Sequence, residues 1–362
     1  MRILFALPGF HRFDRGAEVA LLAVANELAL AGNAVRVMGS GPPRDGVAYD
    51  FEQVGSIRRE RFESLPSIPP LRSEVNWEDA TFAAALLRRY RPADYDAVVT
   101  CSFPFTHWAL RRPAARKPAQ IFVTQNGDWS AFATSGEYRT FRCDGLVCTN
   151  PDYFERNQPR WTCALIPNGI SAAAYQGKAS DRARFGLPQD RPVVLMVSAL
   201  IDTKRVIDGI RAVGRHPTAH LVVAGDGPLR DQVKAEAERH LPGRFSNITV
   251  AAPDMPVLYH SADTFLHMSL LESFGNVFVE AMACGLPIVG HDTSRLRWIV
   301  GDDQPLCDTQ DDGALDAALA TALARGKGAP NPRVENFYWP TIARQYQDFL
   351  SGIVAARQAG TP

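Results

Sequence analysis

The chain lacks an excess of charge of either sign: 39 Lys plus Arg balance 39 Asp plus Glu over 362 residues. This excludes the global basic field by which a protein gathers nucleic acid. Cysteine is sparse, and the six present (Cys101, Cys143, Cys148, Cys163, Cys284, Cys307) include no Cys-x-x-Cys pair. Several lie in apolar runs, which points to buried thiols in a reduced, cytoplasmic setting rather than a disulfide framework. The eight histidines form no cluster with cysteine at zinc spacing, so no metal is expected. Long hydrophobic runs are missing too. The first apolar stretch, Ile3 to Leu7, follows one positive charge and is cut by Pro8; it is too short for a secretory core or a membrane span and reads as a strand.

What is present is an alternation of short apolar runs and amphipathic segments, in a chain long enough for about two domains. Helix Ala17 to Leu30 carries Ala20, Leu21, Val24 and Leu28 on one stripe, and Val35 to Met38 is the next strand. The turn between the first strand and this helix is not Gly-x-Gly-x-x-Gly, which removes the main support for a dinucleotide enzyme. Residues 41–75 show no period and read as loops and short elements. Helix Glu78 to Tyr90, strand Ala97 to Thr100, helix Pro104 to Arg111 and strand Ile121 to Val123 follow. Strand Gly145 to Cys148, helix Pro151 to Asn157 and strand Cys163 to Ile166 continue the pattern. Later strands are expected at Val193 to Val197, His220 to Ala224, Ile248 to Ala251 and Asp263 to Met268. Such alternation predicts parallel sheets with helices on both faces, and ligands at the carboxyl ends of strands. Two loops at such ends, Cys101 to His107 and Thr124 to Trp129, are ligand-site candidates through His107 and Asp128, each also explicable as a cap or a satisfied polar contact. Asp94 and Asp96 form an Asp-x-Asp, but ahead of their strand, where a metal-holding pair has no ligand edge to serve.

The stretch from Glu272 to Val289 reads as loop, helix, stop and strand. Its helix starts near Asn276, after Gly275, and Gly285 is placed to end it in the left-handed conformation. Glu280 lies inside the helix and Glu272 in the loop before it, so both can face one ligand beside free N–H groups suited to an anion.

Two glutamates eight positions apart, Phe274 and Gly275 after the first, and the Ala281-Met282-Ala283-Cys284-Gly285-x-Pro287 tail resemble retaining GT-B glycosyltransferases of the family 4 type. Pro167-Asn168-Gly169 is similar to that family's interdomain segment. The resemblance implies an α/β GT-B fold: two Rossmann-like domains facing a cleft, 1–166 for the acceptor and 167–340 for the nucleotide sugar, with a C-terminal segment, 341–362, crossing back as a helix onto the first. It implies transfer of a hexose from a nucleoside diphosphate sugar to an acceptor hydroxyl in polysaccharide or glycolipid synthesis, uridine being expected over guanosine as the carrier. Lys204, with Arg205 where the usual arginine is replaced by Ala199, would meet the diphosphate together with the Gly16 amide and the helix start at Asn276. Glu280 would hold the ribose, Glu272 and the backbone of Phe274, Gly275 and Asn276 the sugar, and Met255 would line the base pocket. Asn126 stands where many members have histidine, so no role for histidine carries over. A glycan or lipid-linked acceptor is the expected partner. Arg111, Arg112, Arg116 and Lys117 read as a solvated basic face, with peripheral contact to an anionic membrane as the alternative. An epimerase or phosphorylase on the same fold, or a non-catalytic nucleotide-sugar-binding subunit, are the competing functions.

Overall fold

The computed structural model describes residues 1–270 and 272–360. It divides into two compact units, Met1–Asn168 with Trp339–Pro362, and Gly169–Tyr338. Unit 1 contains β1 (Arg2–Ala6), α1 (Gly16–Leu30), β2 (Ala34–Gly39), β3 (Asp50–Gln53), α2 (Glu74–Arg89), β4 (Ala97–Thr100) and α3 (Phe105–Leu110). It continues with β5 (Ala119–Val123), α4 (Trp129–Phe132), β6 (Gly145–Cys148), α5 (Pro151–Asn157) and β7 (Cys163–Leu165). Unit 2 contains α6 (Ala172–Tyr175), β8 (Val193–Val197), α7 (Val206–Gly214), β9 (His220–Ala224), α8 (Arg230–His240) and β10 (Phe245–Ile248). After these come α9 (Met255–His260), β11 (Thr264–His267), α10 (Asn276–Ala283), β12 (Ile288–Gly290), α11 (Ser294–Val300) and α12 (Asp312–Arg325); α13 (Trp339–Gln358) belongs to unit 1.

Strand order is β3-β2-β1-β4-β5-β6-β7 in unit 1 and β10-β9-β8-β11-β12 in unit 2, and every pairing is parallel. The continuous apolar strands follow from this. A parallel sheet is covered by helices on both faces, so successive side chains enter different cores. Ile3 and Phe5 of β1 face one cluster and Leu4 and Ala6 another; Val193 and Leu195 of β8 face one core and Val194 and Met196 the other.

Helix α13 buries Ile342, Tyr346, Leu350 and Ile353 in the same core as Leu21, Val24 and Leu28 of α1. Asn33 Nδ2 donates to Gln347 Oε1 at 2.7 Å beside this contact. Residues 361 and 362 of the expected crossover segment lie outside the described residues.

Two local expectations shift. Residues 41–75 contain the edge strand β3, whose Asp, Phe, Glu, Gln sequence has no apolar period to betray it. The strand expected at Ile248 to Ala251 instead occupies Phe245–Ile248, because Phe245 registers with Leu221 and Asn247 Nδ2 bonds the Val223 and Gly225 carbonyls. The Asp-x-Asp is a turn: Asp96 accepts from the Arg2 amide at 2.8 Å and pairs with Arg2 and Arg116. His216 and His220 are spaced as His-x-x-x-His, but Pro217 and a turn intervene and His220 Nε2 bonds Ser246 Oγ at 2.9 Å.

Gly285 ends α10 at φ +70°, where an added Cβ would lie 2.2 Å from the Gly328 carbonyl oxygen. Both the left-handed backbone and the close approach demand glycine. Gly285→Ala is therefore expected to lower unfolding stability by about 1–3 kcal/mol, read by chemical denaturation; an unchanged midpoint would show that 326–330 yields freely.

Candidate functional site in unit 2

The order of the second sheet reverses between β8 and β11. Crevices at such a switch point, beyond the carboxyl ends of the strands, are where open α/β sheets bind ligands. The loop after β8 runs through a short 3-10 turn, Asp202–Lys204, and β11 ends on His267 shortly before Glu272. Two glycines hold the neighbouring loops together. A Cβ on Gly225 would sit 1.9 Å from the Ser198 carbonyl oxygen and one on Gly227 2.5 Å from that of Leu200, and Leu200 donates its N–H to the Asp226 carbonyl at 3.0 Å.

Lys204 Nζ and His267 Nε2, the latter at 3.0 Å, both meet Glu272 Oε1. Oε2 of Glu272 has no hydrogen-bond partner among the described residues. Burial alone pushes this carboxyl upward, but hydrogen bonds and electrostatic attraction from His267 and then Lys204 prevail and hold it at about 2. It is ionised throughout the physiological range, an acceptor with one oxygen to spare. Beyond it Gly275 adopts φ +87°, and a Cβ there would lie 2.6 Å from the Phe278 ring. The N-cap residue of α10, Gly275, has no side chain with which to cap it, so the first N–H groups and positive dipole end of the helix suit a ligand. Phe274 turns its ring into the core beside Trp298 and Phe337, leaving its backbone on the loop. Arg295 donates to the Glu272 carbonyl from α11.

Glu280 is half-buried one turn inside α10, where Tyr259 Oη donates to its Oε2 at 2.6 Å and Tyr175 supplies a second hydrogen bond. Burial raises this carboxyl above its ordinary range, and the two phenols oppose the rise. The two glutamates of one motif thus have opposite electrostatic surroundings. Met255 begins α9 and packs partly buried against the same core.

Three expectations are corrected. Arg205 sits at φ +51° and directs its guanidinium to Asp208 (2.8 Å), the Met268 carbonyl (3.3 Å) and Thr309 (3.1 Å to both Oγ1 and O); it ties a strand end to a loop, and a diphosphate would have to displace those bonds. His107 is fully buried in unit 1, stacked on Phe141 at 4.9 Å with Nδ1 3.1 Å from Gln120 Nε2. Burial, then the Arg111 charge, lower its pKa to about 3, so it is a neutral core side chain that no acceptor reaches. Asp128 is buried, with Oδ2 2.7 Å from Asn157 Nδ2 and 3.1 Å from Arg156 Nε; it joins the α4 and α5 segments. Asn126 and Trp129 of the same loop are exposed. Gly16 is exposed at the first turn of α1 in unit 1, with open space where a Cβ would be.

His267, Tyr175, Tyr259 and Arg295 were not singled out in the sequence. Only His267 had a signal, its place at the end of a strand next to the motif.

Because Glu272 is held near 2 in the folded chain against an ordinary 4.5, its contribution to stability is complete above the unfolded value and is lost as pH falls through about 2. Glu272→Gln should flatten the acid dependence of stability between pH 4.5 and 2, measured as denaturation midpoint against pH. Parallel wild-type and variant curves in that window would refute the clamp.

Comparison with known proteins shows the family. The family described as glycosyl transferases group 1 matches residues 177–333, and the family described as Glycosyltransferase Family 4 matches 15–173. The chain is 30% identical over 303 residues to the lipopolysaccharide core biosynthesis glycosyltransferase LpsE of Rhizobium meliloti, covering 80% of each. It is 30% identical over 260 residues to a Mycobacterium tuberculosis GDP-mannose-dependent alpha-(1-6)-phosphatidylinositol dimannoside mannosyltransferase, covering 68% of this chain and 65% of that one. In structure it is similar to Anabaena HepE in complex with UDP-glucose, with a TM-score of 0.70 at 18% identity, over 97% of this chain and 100% of that one. With its two parallel-sheet, Rossmann-like units, the chain belongs to the GT-B glycosyltransferases of the family 4 type.

Proposed function

We propose that this glycosyltransferase moves a hexose from a nucleoside diphosphate sugar, carried by uridine, to an acceptor hydroxyl with retention of anomeric configuration, in polysaccharide or glycolipid synthesis. The observation that carries this reading is the meeting of Lys204 with ionised Glu272 in front of the uncapped start of α10, at the switch point of the sheet. A lysine with N–H groups to spare and a helix dipole are what a departing diphosphate requires, since charge grows on it as the sugar leaves. Glu272 Oε2 and the backbone at Phe274, Gly275 and Asn276 would hold the sugar, and Glu280 the ribose, next to a base lined in part by Met255. The leaving phosphate itself takes the acceptor's proton from the same face of the sugar, which accounts for retention without a protein nucleophile and without the histidine that Asn126 replaces.

The complex of Anabaena HepE with UDP-glucose supports uridine, while the mannosyltransferase relative, named for GDP-mannose, makes guanosine the comparison to run. No helix among the described residues is long and apolar enough to cross a membrane. The reading places the enzyme in the cytoplasm with a glycan or lipid-linked acceptor and, at most, peripheral contact with the inner membrane face. The bonds of Arg111 to the Arg142 carbonyl, of Arg112 to the Leu87 carbonyl and of Arg116 to Asp96 favour the basic surface face over membrane contact.

Lys204→Ala should lower turnover about a hundred- to a thousandfold at saturating donor, the cost typical of losing one transition-state donor. Glu280→Gln should mainly raise the Michaelis constant for donor. Near wild-type turnover in Lys204→Ala would make the lysine a ground-state anchor. The anomeric configuration of the product, followed by proton NMR from UDP- and GDP-sugars in parallel, decides retention and carrier together; an inverted product ends the front-face scheme. Neutralising the negative charge of the diphosphate is assigned to Lys204 and the helix, so transfer should survive EDTA, and activity lost on chelation and restored by manganese would overturn the metal-free reading.

A further inference from the structure

The first sheet also reverses its order, between β1 and β4, and the loop after β1 carries charged side chains that donor binding in unit 2 does not use. Arg12, Arg15 and Arg59 gather around the ring of Phe13, with Cζ 5.8, 4.1 and 5.1 Å from its centroid. Their counter-charges lie beneath them. Glu78, 2% exposed, accepts from Arg12 Nη1 at 3.1 Å and from Arg59 Nε and Nη2 at 3.1 and 2.8 Å. Glu18, 6% exposed, accepts from Arg15 Nη2 at 2.6 Å, whereas the Arg12, Arg15 and Arg59 side chains keep 16%, 47% and 21% exposure.

Three guanidinium groups over two carboxylates leave an uncompensated positive charge, and it lies on the solvent side. Donors remain on the same side. Among the described residues Arg12 spends only Nη1, on Ser40, Ser56 and Glu78; Arg15 spends only Nη2 on Glu18, and Arg59 keeps Nη1. Arg15 also directly precedes α1 and does not cap that helix with its side chain. A buried Arg–Glu–Arg bridge made only for packing would need neither Arg15 nor the excess charge, which costs like-charge repulsion unless an anion joins it.

We propose that this cluster is the subsite for a phosphate group on the acceptor, so that the enzyme glycosylates a phosphorylated sugar or a phosphate-linked lipid. The inference rests on the glycosyl-transfer reading and deepens it by naming the acceptor class. Several guanidinium edges converging on one point match the oxygens of a phosphate monoester or diester better than a single lysine would, and the Phe13 ring holds them in place by cation–π contact.

The test uses the full chain saturated with UDP, titrated by calorimetry with glucose 6-phosphate and glucose, and by flotation with phosphatidylcholine vesicles with and without phosphatidic acid. Arg15→Gln is the variant of choice: the Arg15 side chain is the most exposed of the three and a glutamine amide can still donate to Glu18, the buried carboxylate that Arg15 pairs, while an unchanged denaturation midpoint shows that the fold is kept. A phosphate-bearing probe should bind the wild type in preference to its phosphate-free partner, and Arg15→Gln should weaken it at least about tenfold, the scale of one charge-assisted bond. Arg15→Lys should recover part of the loss. Preference for the soluble phosphate or for the vesicle tells which source the acceptor draws on, and either supports the subsite. Equal binding of both members of each pair, or binding unaltered by Arg15→Gln, overturns it. So does an Arg15→Gln variant whose UDP affinity falls by the same factor, since the cluster would then serve the donor. Failure of the wild type to bind UDP would instead strike the donor reading and leave the phosphate comparison legible.

Discussion

All pairings in both sheets run in one direction, and this parallel order is the constraint on which the rest depends. It obliges each connection to return over a face, which buries the strands on both sides and makes them continuous in apolar residues. It also brings all carboxyl ends to one edge of each sheet. Lys204 after β8, His267 at the end of β11 and Glu272 just beyond are neighbours because the order reverses between those two strands. The same rule brings the Arg12–Phe13–Arg15 loop to the corresponding edge of the first sheet.

At the second sheet's edge, electrostatics distinguish two residues that the motif treats alike. Glu272 shares one oxygen between a lysine and a histidine, and their attraction exceeds the cost of burial. Among the described residues Glu280 receives only phenolic donors, and burial prevails. Neutral hydroxyl donors stabilise a carboxylate less than a cation does, so the first glutamate is the more firmly anionic of the two. Gly275 links the two. Its left-handed backbone starts α10 between them.

Much of this was legible along the chain. The run from Glu272 to Val289 showed its helix start at Asn276 and its glycine stop at Gly285, since capping and left-handed turns are local and depend on residues within a few positions. Apolar runs located the strands for the same reason, save β3, a mostly polar edge strand, and β10, whose bounds are set by its pairing with β9. Tertiary structure alone decided which polar side chains were available. His107 is stacked in a core, Asp128 is tied to α5, and Arg205 spends its donors on Thr309, a residue of a distant loop. The start of α3 is likewise satisfied from afar: Asp79 of α2 accepts from the Phe105 amide at 2.9 Å. Tyr175 and Tyr259 reach Glu280 in that way too. The sequence by itself determined the fold class, the family and the placement of the two glutamates, because these follow from near-neighbour patterns; which charges are free and which are bound was settled by partners far away in the chain, whose proximity exists only once the sheets have formed.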